Sequence, residues 1–261
     1  MIEDKFERGA SPYWVRFAIG HADIEQAPGV ARFVVEGAEE GQLSDAEIDD
    51  HRTVPRFKLP WTPPLRMTVR ARMSHRSGEM LGTAGFGFWN DPFDWVGNVQ
   101  APPNAVWFFY ASPQSDMAFA PGVRGNGWKA ATLNGGRADG LTMALGNFVF
   151  RLPGMSRLVF RLAQTRLAAH EKVLDDIALT DWHTYRLDWL PREAIFFVDD
   201  VEVFRASDPP TVPTGFVAWV DNNCTTMGPG RDFSFTRLRI ERRQWMELSR
   251  VCVERLTPEH R

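Results

Sequence analysis

Three stretches of this sequence are apolar on both alternating faces of a β-strand. They read GFGFW at 85–89, AVWFFYA at 105–111 and GFVAWV at 215–220. A strand in an open antiparallel sheet normally alternates apolar and polar side chains, because one of its faces meets water. These three strands therefore need cover on both sides, either from a second sheet and a helix or from a second sheet and a ligand.

Further strand signals recur along nearly the whole chain. The 18 Pro and 21 Gly fall mostly between them, which favours a β-sandwich or barrel over an α/β fold. We predict strands in the following segments: 11–20, 29–37, 65–74, 83–90, 104–112, 183–190, 194–206 and 214–221. No fixed-period repeat is visible, so we expect one domain over residues 1–261 rather than a propeller or solenoid.

One segment departs from this pattern. Residues 156–174 carry apolar side chains at helical spacing, with Ser156 as a possible N-cap, and predict a single inserted helix. Such a helix must lay its apolar stripe on a sheet face. It would be a structural cover, a lid over a groove or a plug that fills the groove.

The composition limits the classes of partner that we expect. A net charge of −3 gives no electrostatic reason to expect nucleic acid or an anionic membrane, and no run approaches 20 apolar residues. The amino terminus shows no secretory pattern, and Cys224 and Cys252 lack metal-binding spacing, so we expect a cytoplasmic protein with reduced thiols and no metal. No nucleotide-binding glycine motif occurs, so no cofactor is expected, and the oligomeric state stays open.

The stretch DWHTYRLDWLPREAIFFVDDVEVFRA at 181–206 resembles a segment of glycoside hydrolase family 16 and related concanavalin A-like proteins. That segment reads roughly F-H-x-Y-x-x-x-W-x-P-x-x-I-x-[WF]-[YF]-V-D-G. The run GTAGFGFWND at 82–91 is similar to the family's G-T-x-P-A-F-W run, and GFVAWVDNN at 215–223 sits where the family has an apolar strand lining its cleft. The resemblance covers roughly 80–256 and implies an all-β, concanavalin A-like jelly-roll sandwich of two curved antiparallel sheets. In that fold the chain closes with a strand, which favours a strand over a helix at 244–256.

The sequence departs from this family where its chemistry resides. The family's E-x-D-x-E signature supplies two carboxylates about 5 Å apart, one ionised and one protonated. The corresponding strand here, NAVWFFYAS at 104–112, contains no carboxylate, and the signature occurs nowhere else in the chain. Hydrolysis by the family mechanism is therefore not expected. Depending on register, the concave sheet would instead carry Trp107 and Phe109, or Val106, Phe108 and Tyr110.

Aromatic rings and strand-end polar groups supply the candidate site. Tryptophan and tyrosine can stack on sugar rings, and asparagine or aspartate can bind hydroxyl groups that would otherwise lose a hydrogen bond. The candidate ligand-binding residues are Trp89, Asn90, Trp107, Tyr110, Trp128, Lys129, His183, Trp189, Trp219 and Asn222. The candidate general acids or bases are Asp91, Asp116 and Asp221. These residues also have structural interpretations. Trp189 fits either a groove or the core, and His183 fits a structural histidine. The Asn and Asp residues at strand ends fit turn caps.

Two further segments are read first as turns or loops. The acidic run DAEIDD at 45–50 predicts a solvated turn, with a calcium site as the alternative. The glycine-rich GVRGNGWKA at 122–130 predicts a loop.

Three functions remain open. The leading hypothesis is an aromatic groove that binds a carbohydrate or another small apolar or ring-bearing ligand. The alternative is a non-hydrolytic enzyme, of lyase, isomerase or cyclase type, that uses a rim aspartate as general acid or base. The third is a structural or interaction module whose groove is filled by its own helix.

Overall fold

The computed structural model describes residues 1–7, 11–55, 58–92, 101–136, 167–227 and 234–257. These residues form 18 β-strands and no α-helix, and they contain no helix able to cross a membrane. The strands are β1 Ile2–Asp4, β2 Val15–Ile19, β3 Ala22–Ala27, β4 Val30–Val35, β5 Asp45–Asp49, β6 Leu65–Met73, β7 Thr83–Trp89, β8 Asn104–Ala111, β9 Asp116–Met117, β10 Gly127–Asn134, β11 Ala168–Val173, β12 His183–Trp189, β13 Glu193–Val198, β14 Val201–Ser207, β15 Gly215–Asp221, β16 Asn223–Met227, β17 Ser234–Arg237 and β18 Gln244–Arg255.

Two large antiparallel sheets form a sandwich. The eight-stranded sheet has the order β14-β13-β12-β6-β18-β4-β3, with β1 also paired to β18. The seven-stranded sheet has the order β11-β10-β8-β7-β15-β5-β2. A small sheet of β17, β16 and β9 accompanies them. The predicted all-β sandwich is confirmed.

Aromatic rings from both sheets fill the core between them. Phe86 and Phe108 of the seven-stranded sheet lie 5.2 and 5.1 Å, centroid to centroid, from Tyr185 of the eight-stranded sheet. Phe88 approaches Trp189 in the same way, at 5.3 Å. All five side chains are buried, so edge-on and tilted ring contacts help to fix how one sheet sits on the other.

The strands expected from the sequence are found. The segment 181–206 forms two successive hairpins, β12 to β13 and β13 to β14. The second hairpin closes on Asp199 and Asp200, which have φ angles of 49° and 65°. Positive φ at both central residues is the type I′ geometry that two-residue hairpins prefer. The C-terminal segment is strand β18, as the resemblance implied.

The prediction of an inserted helix is wrong for the part of 156–174 that the structure describes. Residues Ala168–Val173 form β11, which pairs along its whole length with β10. Unpaired backbone groups at a sheet edge favour a further strand, and this pairing outweighs the helical spacing of the apolar side chains. The rest of the predicted helix, 156–166, lies outside the described residues.

Two segments expected to be turn or loop contain strands. The acidic run 45–50 contains β5, because Ala46 and Ile48 alternate with the acids and are buried in the core between the sheets. The loop predicted at 122–130 becomes β10 from Gly127 onward, paired with both β8 and β11.

Trp128 provides a test of this core. Its side chain is fully buried among Phe86, Phe108 and Tyr185. We expect Trp128→Ala to lower the free energy of unfolding by about 3–5 kcal/mol, measured by urea denaturation. Trp245→Ala, at a half-buried tryptophan on the eight-stranded sheet, serves as the control and should cost less than half as much. Equal losses for the two variants would contradict this placement of Trp128.

Candidate functional site

The register of the seven-stranded sheet separates its two faces. On β8, Val106, Phe108 and Tyr110 belong to the core between the sheets, whereas Trp107 and Phe109 belong to a second buried cluster. We call the face that carries this second cluster the outer face. The register with Trp107 and Phe109, one of the two left open by the sequence, is the one adopted.

Three tryptophans form a row on the outer face. The rings of Trp89 and Trp107 are stacked, with centroids 5.0 Å apart and planes 23° apart. Trp107 also lies 5.4 Å from Trp219, at 48°. Trp89 and Trp219 are half-buried and Trp107 is 8% exposed. We call these three residues the tryptophan row.

Glycines on β7 make room for the row. A Cβ at Gly85 would lie 2.8 Å from the Trp219 ring and 2.5 Å from the carbonyl oxygen of Phe108. At Gly87, whose φ is +154°, a Cβ would lie 2.5 Å from the Cβ of Trp107. Both distances are shorter than real Cβ contacts allow, so the absence of side chains here lets the indoles lie close against the sheet.

Hydrogen bonds fix one end of the row and leave its centre unsatisfied. Trp219 Nε1 donates to Thr83 Oγ1 at 2.9 Å, and Thr83 Oγ1 donates to Asp221 Oδ1 at 2.8 Å. Trp107 Nε1 is buried and has no hydrogen-bond partner within the described part of the chain. A buried donor without an acceptor costs about 1–3 kcal/mol, so the outer face has an unused donor at its centre.

An acid row runs beside the tryptophans. Asp45, Glu47 and Asp49 alternate along β5 and lie opposite Asp221, Trp219 and Val217 of β15, which places their side chains on the outer face. We call these three carboxyl residues the acid row. Their register partners on β2 are Ile19, Phe17 and Val15, so apolar side chains flank the row on its other side.

Arg52 binds two of the three acids. Its Nη2 lies 2.7 Å from Glu47 Oε1 and its Nε lies 3.0 Å from Asp49 Oδ2. The guanidinium also stacks on Phe17, 3.9 Å from the ring centroid. One cation therefore bridges the acid row and an aromatic ring, which is a favourable position for a partly desolvated arginine.

Burial changes the protonation of this face. It raises the pKa of Glu47 to about 8, with the charge of Asp49 adding to the rise and Arg52 opposing it. Burial, and then the charges of Glu47 and Asp221, raise the pKa of Asp45 well above its usual value. Burial also raises the pKa of Asp221, although the hydrogen bonds it accepts oppose the rise. A pKa of about 8 means that Glu47 retains its proton at neutral pH, and burial shifts the pKa values of Asp45 and Asp221 in the same direction.

His51 adds a second unsatisfied group. It is 7% exposed and packs against the backbone of Gly215. Its Nδ1 lies 3.7 Å from Asp49 Oδ1 and has no hydrogen-bond partner among the residues that the structure describes. One donor atom each from Glu47, Asp49 and His51 lie within 4.8 Å of one another, a spacing at which they could hold a metal ion. Arg52, however, already binds both carboxyl groups of this set.

A buried ion pair occupies the opposite side of the face. The side chains of Lys129 and Glu171 are fully buried, and Lys129 Nζ lies 2.9 Å from Glu171 Oε2. Lys129 also donates to the carbonyl oxygen of Met117, and Glu171 accepts from the backbone N–H of Ala120. Burial lowers the pKa of Lys129, and Glu171 opposes this. These bonds tie segment 117–120 to β10 and β11.

Three predicted ligand-binding residues lie elsewhere. Tyr110, Trp128 and Trp189 are buried in the core between the sheets and do not face outward. Tyr110 donates to the carbonyl oxygen of Met80, and Trp189 donates to that of Pro210. The sequence left open whether Trp189 lies in a groove or in the core, and in the structure it lies in the core.

Several predicted polar residues hold turns together. Asn90 links to Pro102 and Asn104, and Asn222 bonds Gln42, Ser44 and Leu238. His183 bonds Asp199 at 2.6 Å, in the β13–β14 hairpin of the eight-stranded sheet. These contacts match the structural alternatives given for these residues.

The three candidate acids occupy different places. Asp221 lies on the outer face, but its two oxygens already accept four hydrogen bonds from Thr83 and Asn223. Asp116 lies on β9 of the small sheet, and Asp91 follows β7 with a left-handed φ of 40°. Asp221 thus holds Thr83 in place, and Thr83 in turn accepts the hydrogen bond from Trp219.

The sequence reading overlooked the acid row. Its signal is the alternation D-A-E-I-D at 45–49, which places three acids on one face of a strand and two apolar residues on the other. The adjacent carboxylates favoured a solvated turn in that reading. Arg52, three residues after Asp49, is the counter-charge that makes a strand with acids on a buried face tenable.

Comparison with known proteins supports the fold. No family model and no curated protein matches the sequence. A β-glucanase from Bacillus licheniformis has 11% identity and a TM-score of 0.52, with 98% of each chain covered. A laminarinase from Flavobacterium sp. UMI-01 has 12% identity and a TM-score of 0.55, with 98% of this chain and 99% of that one covered.

A longer protein shows the same architecture. The GlcNAcα1-4Gal-releasing endo-β-galactosidase from Clostridium perfringens has 13% identity and a TM-score of 0.52. The match covers 97% of this chain and 62% of that one, so this chain spans less than two thirds of that enzyme's length. Together these structures confirm the predicted concanavalin A-like jelly-roll fold.

The raised pKa of Glu47 predicts how stability depends on pH. Between the ordinary pKa of 4.5 and about 8, the folded chain holds a proton that the unfolded chain has released. The free energy of unfolding should therefore fall as pH rises from 5 to 8, by up to about 1.4 kcal/mol per pH unit for this one group. Glu47→Gln should flatten part of this slope in urea denaturation, whereas Glu241→Gln, at an exposed glutamate, should leave it intact. An unchanged slope in Glu47→Gln would contradict the assignment.

Proposed function

We propose that this protein binds a carbohydrate on the outer face of its seven-stranded sheet. The tryptophan row carries this proposal. Flat indole rings pack against the apolar faces of sugar rings, and this row brings three indoles together on one face, with centroids 5.0 and 5.4 Å apart. Trp89 and Trp219, at the two ends of the row, are half-buried and keep part of their rings open.

Polar groups for the hydroxyls of a sugar lie next to this surface. Trp107 Nε1 is a donor without a partner among the described residues, and the acid row offers carboxyl oxygens one strand away from Trp219. A sugar hydroxyl that enters an apolar site must regain the hydrogen bonds it had in water. The outer face combines apolar rings with unused polar atoms, as carbohydrate recognition requires.

The fold adds support of a general kind. The names of the structural neighbours describe a β-glucanase, a laminarinase and an endo-β-galactosidase, all of which act on glycans. Strand β8, in contrast, presents Ala105, Trp107 and Phe109 to the outer face and no carboxylate. We therefore propose binding as the primary function.

Tryptophan replacements test the proposal. Calorimetric titration with soluble β-glucan, laminarin and galactan oligosaccharides should identify a ligand, and its binding should change the tryptophan fluorescence. We expect Trp89→Ala and Trp219→Ala each to weaken binding about tenfold or more, equivalent to about 1.4 kcal/mol. Trp245→Ala removes a half-buried tryptophan from the eight-stranded sheet, under Arg32 and Arg72, and should leave the affinity unchanged.

Two results would count against this proposal. One is the absence of saturable binding to every glycan tested up to millimolar concentration. The other is an equal loss of affinity in Trp245→Ala, which would place the ligand away from the outer face.

A second candidate function is catalysis with Glu47 as the acid. A pKa of about 8 keeps this carboxyl protonated at neutral pH, and Glu47 lies directly opposite Trp219 in the register of the sheet. Glu47 on β5 would then take the role that the sequence suggested for Asp91, Asp116 or Asp221. A proton donor beside an aromatic surface suits elimination or isomerisation as well as glycoside cleavage.

Product analysis distinguishes catalysis from binding. Incubation with a bound oligosaccharide, followed by mass spectrometry, should show conversion that Glu47→Gln lowers at least 100-fold while binding is retained. Glu241→Gln should convert substrate at the wild-type rate. Binding without any conversion by the wild-type protein would exclude this second function for that ligand.

A further inference from the structure

We infer that the carbohydrate bound on the outer face carries positive charge, as in an oligosaccharide of amino sugars with free ammonium groups. This inference rests on the proposed function and narrows its ligand class. It places an ammonium group beside Asp45, Glu47 and Trp219, where the acid row adjoins the tryptophan row.

On this part of the outer face, carboxyl groups outnumber the basic side chains that bind them. Asp45, Glu47, Asp49 and Asp221 bring four carboxyl groups to two neighbouring strands. In the part of the chain that the structure describes, Arg52 is the arginine or lysine whose ion pairs reach this group, and it binds Glu47 and Asp49. A bound cation would favour the ionised forms of Asp45 and Asp221, the two carboxyl groups that Arg52 does not bind.

Asp45 is the acid with an unused acceptor. Its Oδ1 is buried and has no hydrogen-bond partner among the described residues. Its register partner Asp221 already accepts four hydrogen bonds and offers it only a second negative charge. An ammonium group donates three hydrogen bonds and would satisfy this oxygen directly.

Two nitrogen atoms outside the acid row are also available to a ligand. Trp107 is 8% exposed and His51 is 7% exposed, yet Trp107 Nε1 and His51 Nδ1 have no partner among the described residues. His51 Nδ1 lies beside the acids, 3.7 Å from Asp49 Oδ1. A polar molecule on this face would give these nitrogens the hydrogen bonds that buried polar atoms usually have.

Trp219 gives the cation a second contact. It lies directly opposite Glu47, and its indole is held in place through Thr83. A cation near the face of an indole is attracted by the ring, and carboxylates beside it add to the attraction. A divalent metal ion suits this place less well, because Arg52 already occupies the carboxylates that would bind it together with His51.

The charged groups around Glu47 determine how the affinity for a cation depends on pH. Asp45 and Asp49 face it from β5, Asp221 from β15, and Arg52 and His51 from the segment after β5, whereas β2 presents only apolar side chains. A cation binds the ionised carboxyl more tightly than the protonated one. Because Glu47 loses its proton at about pH 8, affinity for a permanently charged ligand should rise with pH up to that value.

Matched oligosaccharides provide the experiment. The probes are hexamers of β-1,4-linked glucosamine, N-acetylglucosamine and glucose, which differ in charge or in one substituent, titrated at pH 7 and low salt. We expect the glucosamine hexamer to bind at least tenfold more tightly than both neutral hexamers. Added salt should reduce this preference, because ionic strength screens charge pairs.

Variants of the acid row assign the preference to this site. Asp45→Asn and Glu47→Gln should each lower the affinity for the glucosamine hexamer at least fivefold and leave the affinity for a neutral ligand unchanged. Glu241→Gln, at an exposed glutamate, is the matched control and should change neither. With N-trimethylated glucosamine hexamer, whose charge does not titrate, the wild-type affinity should rise by up to tenfold per pH unit between pH 6 and 8.

The outcomes separate the two proposals. Neutral hexamers that bind as tightly as the charged one would overturn the charge preference and leave carbohydrate binding in place. A charge preference that survives unchanged in both acid-row variants would also overturn it, since the cation would then bind elsewhere. Failure of every oligosaccharide to bind would overturn the proposed function, and the inference with it.

Discussion

The structure depends on the burial of the seven-stranded sheet on both of its faces. One face packs on the eight-stranded sheet through phenylalanine, tyrosine and tryptophan rings, and the other carries its own cluster around Trp107 and Phe109. The hydrophobic effect stabilises both faces, but only the first is closed by the fold's second sheet. The outer face carries the tryptophan row and the acid row, on which the proposed binding of a carbohydrate rests.

Much of the fold could be predicted from the sequence, because strand signals are local. Period-two alternation and turn residues located the hairpins of 181–206, and apolar runs bounded by turn residues located the strands around Trp107 and Trp219. The prediction failed at Ala168–Val173, where helical spacing of apolar residues competed with pairing to β10. Strand pairing joins residues far apart in sequence, and no local pattern reports it.

The site was less predictable, for a different reason. A tryptophan on a strand reads the same whether it faces the core or a groove, so Trp89, Trp107 and Trp219 could not be separated from Trp128 and Trp189 without the register. The acids of β5 were hidden because buried carboxylates are rare, and their tolerance here depends on Arg52 and on the neighbouring strands.

The buried pair of Lys129 and Glu171 has a consequence for the history of the molecule. Each side chain is fully buried and each is the other's counter-charge, on the neighbouring strands β10 and β11. Loss of one partner leaves an unpaired charge in the interior, whereas replacement of both by apolar residues removes the charge altogether. Descendants of this sequence should therefore keep both residues or exchange both, and a lineage with one of them alone would have to rebuild segment 117–120.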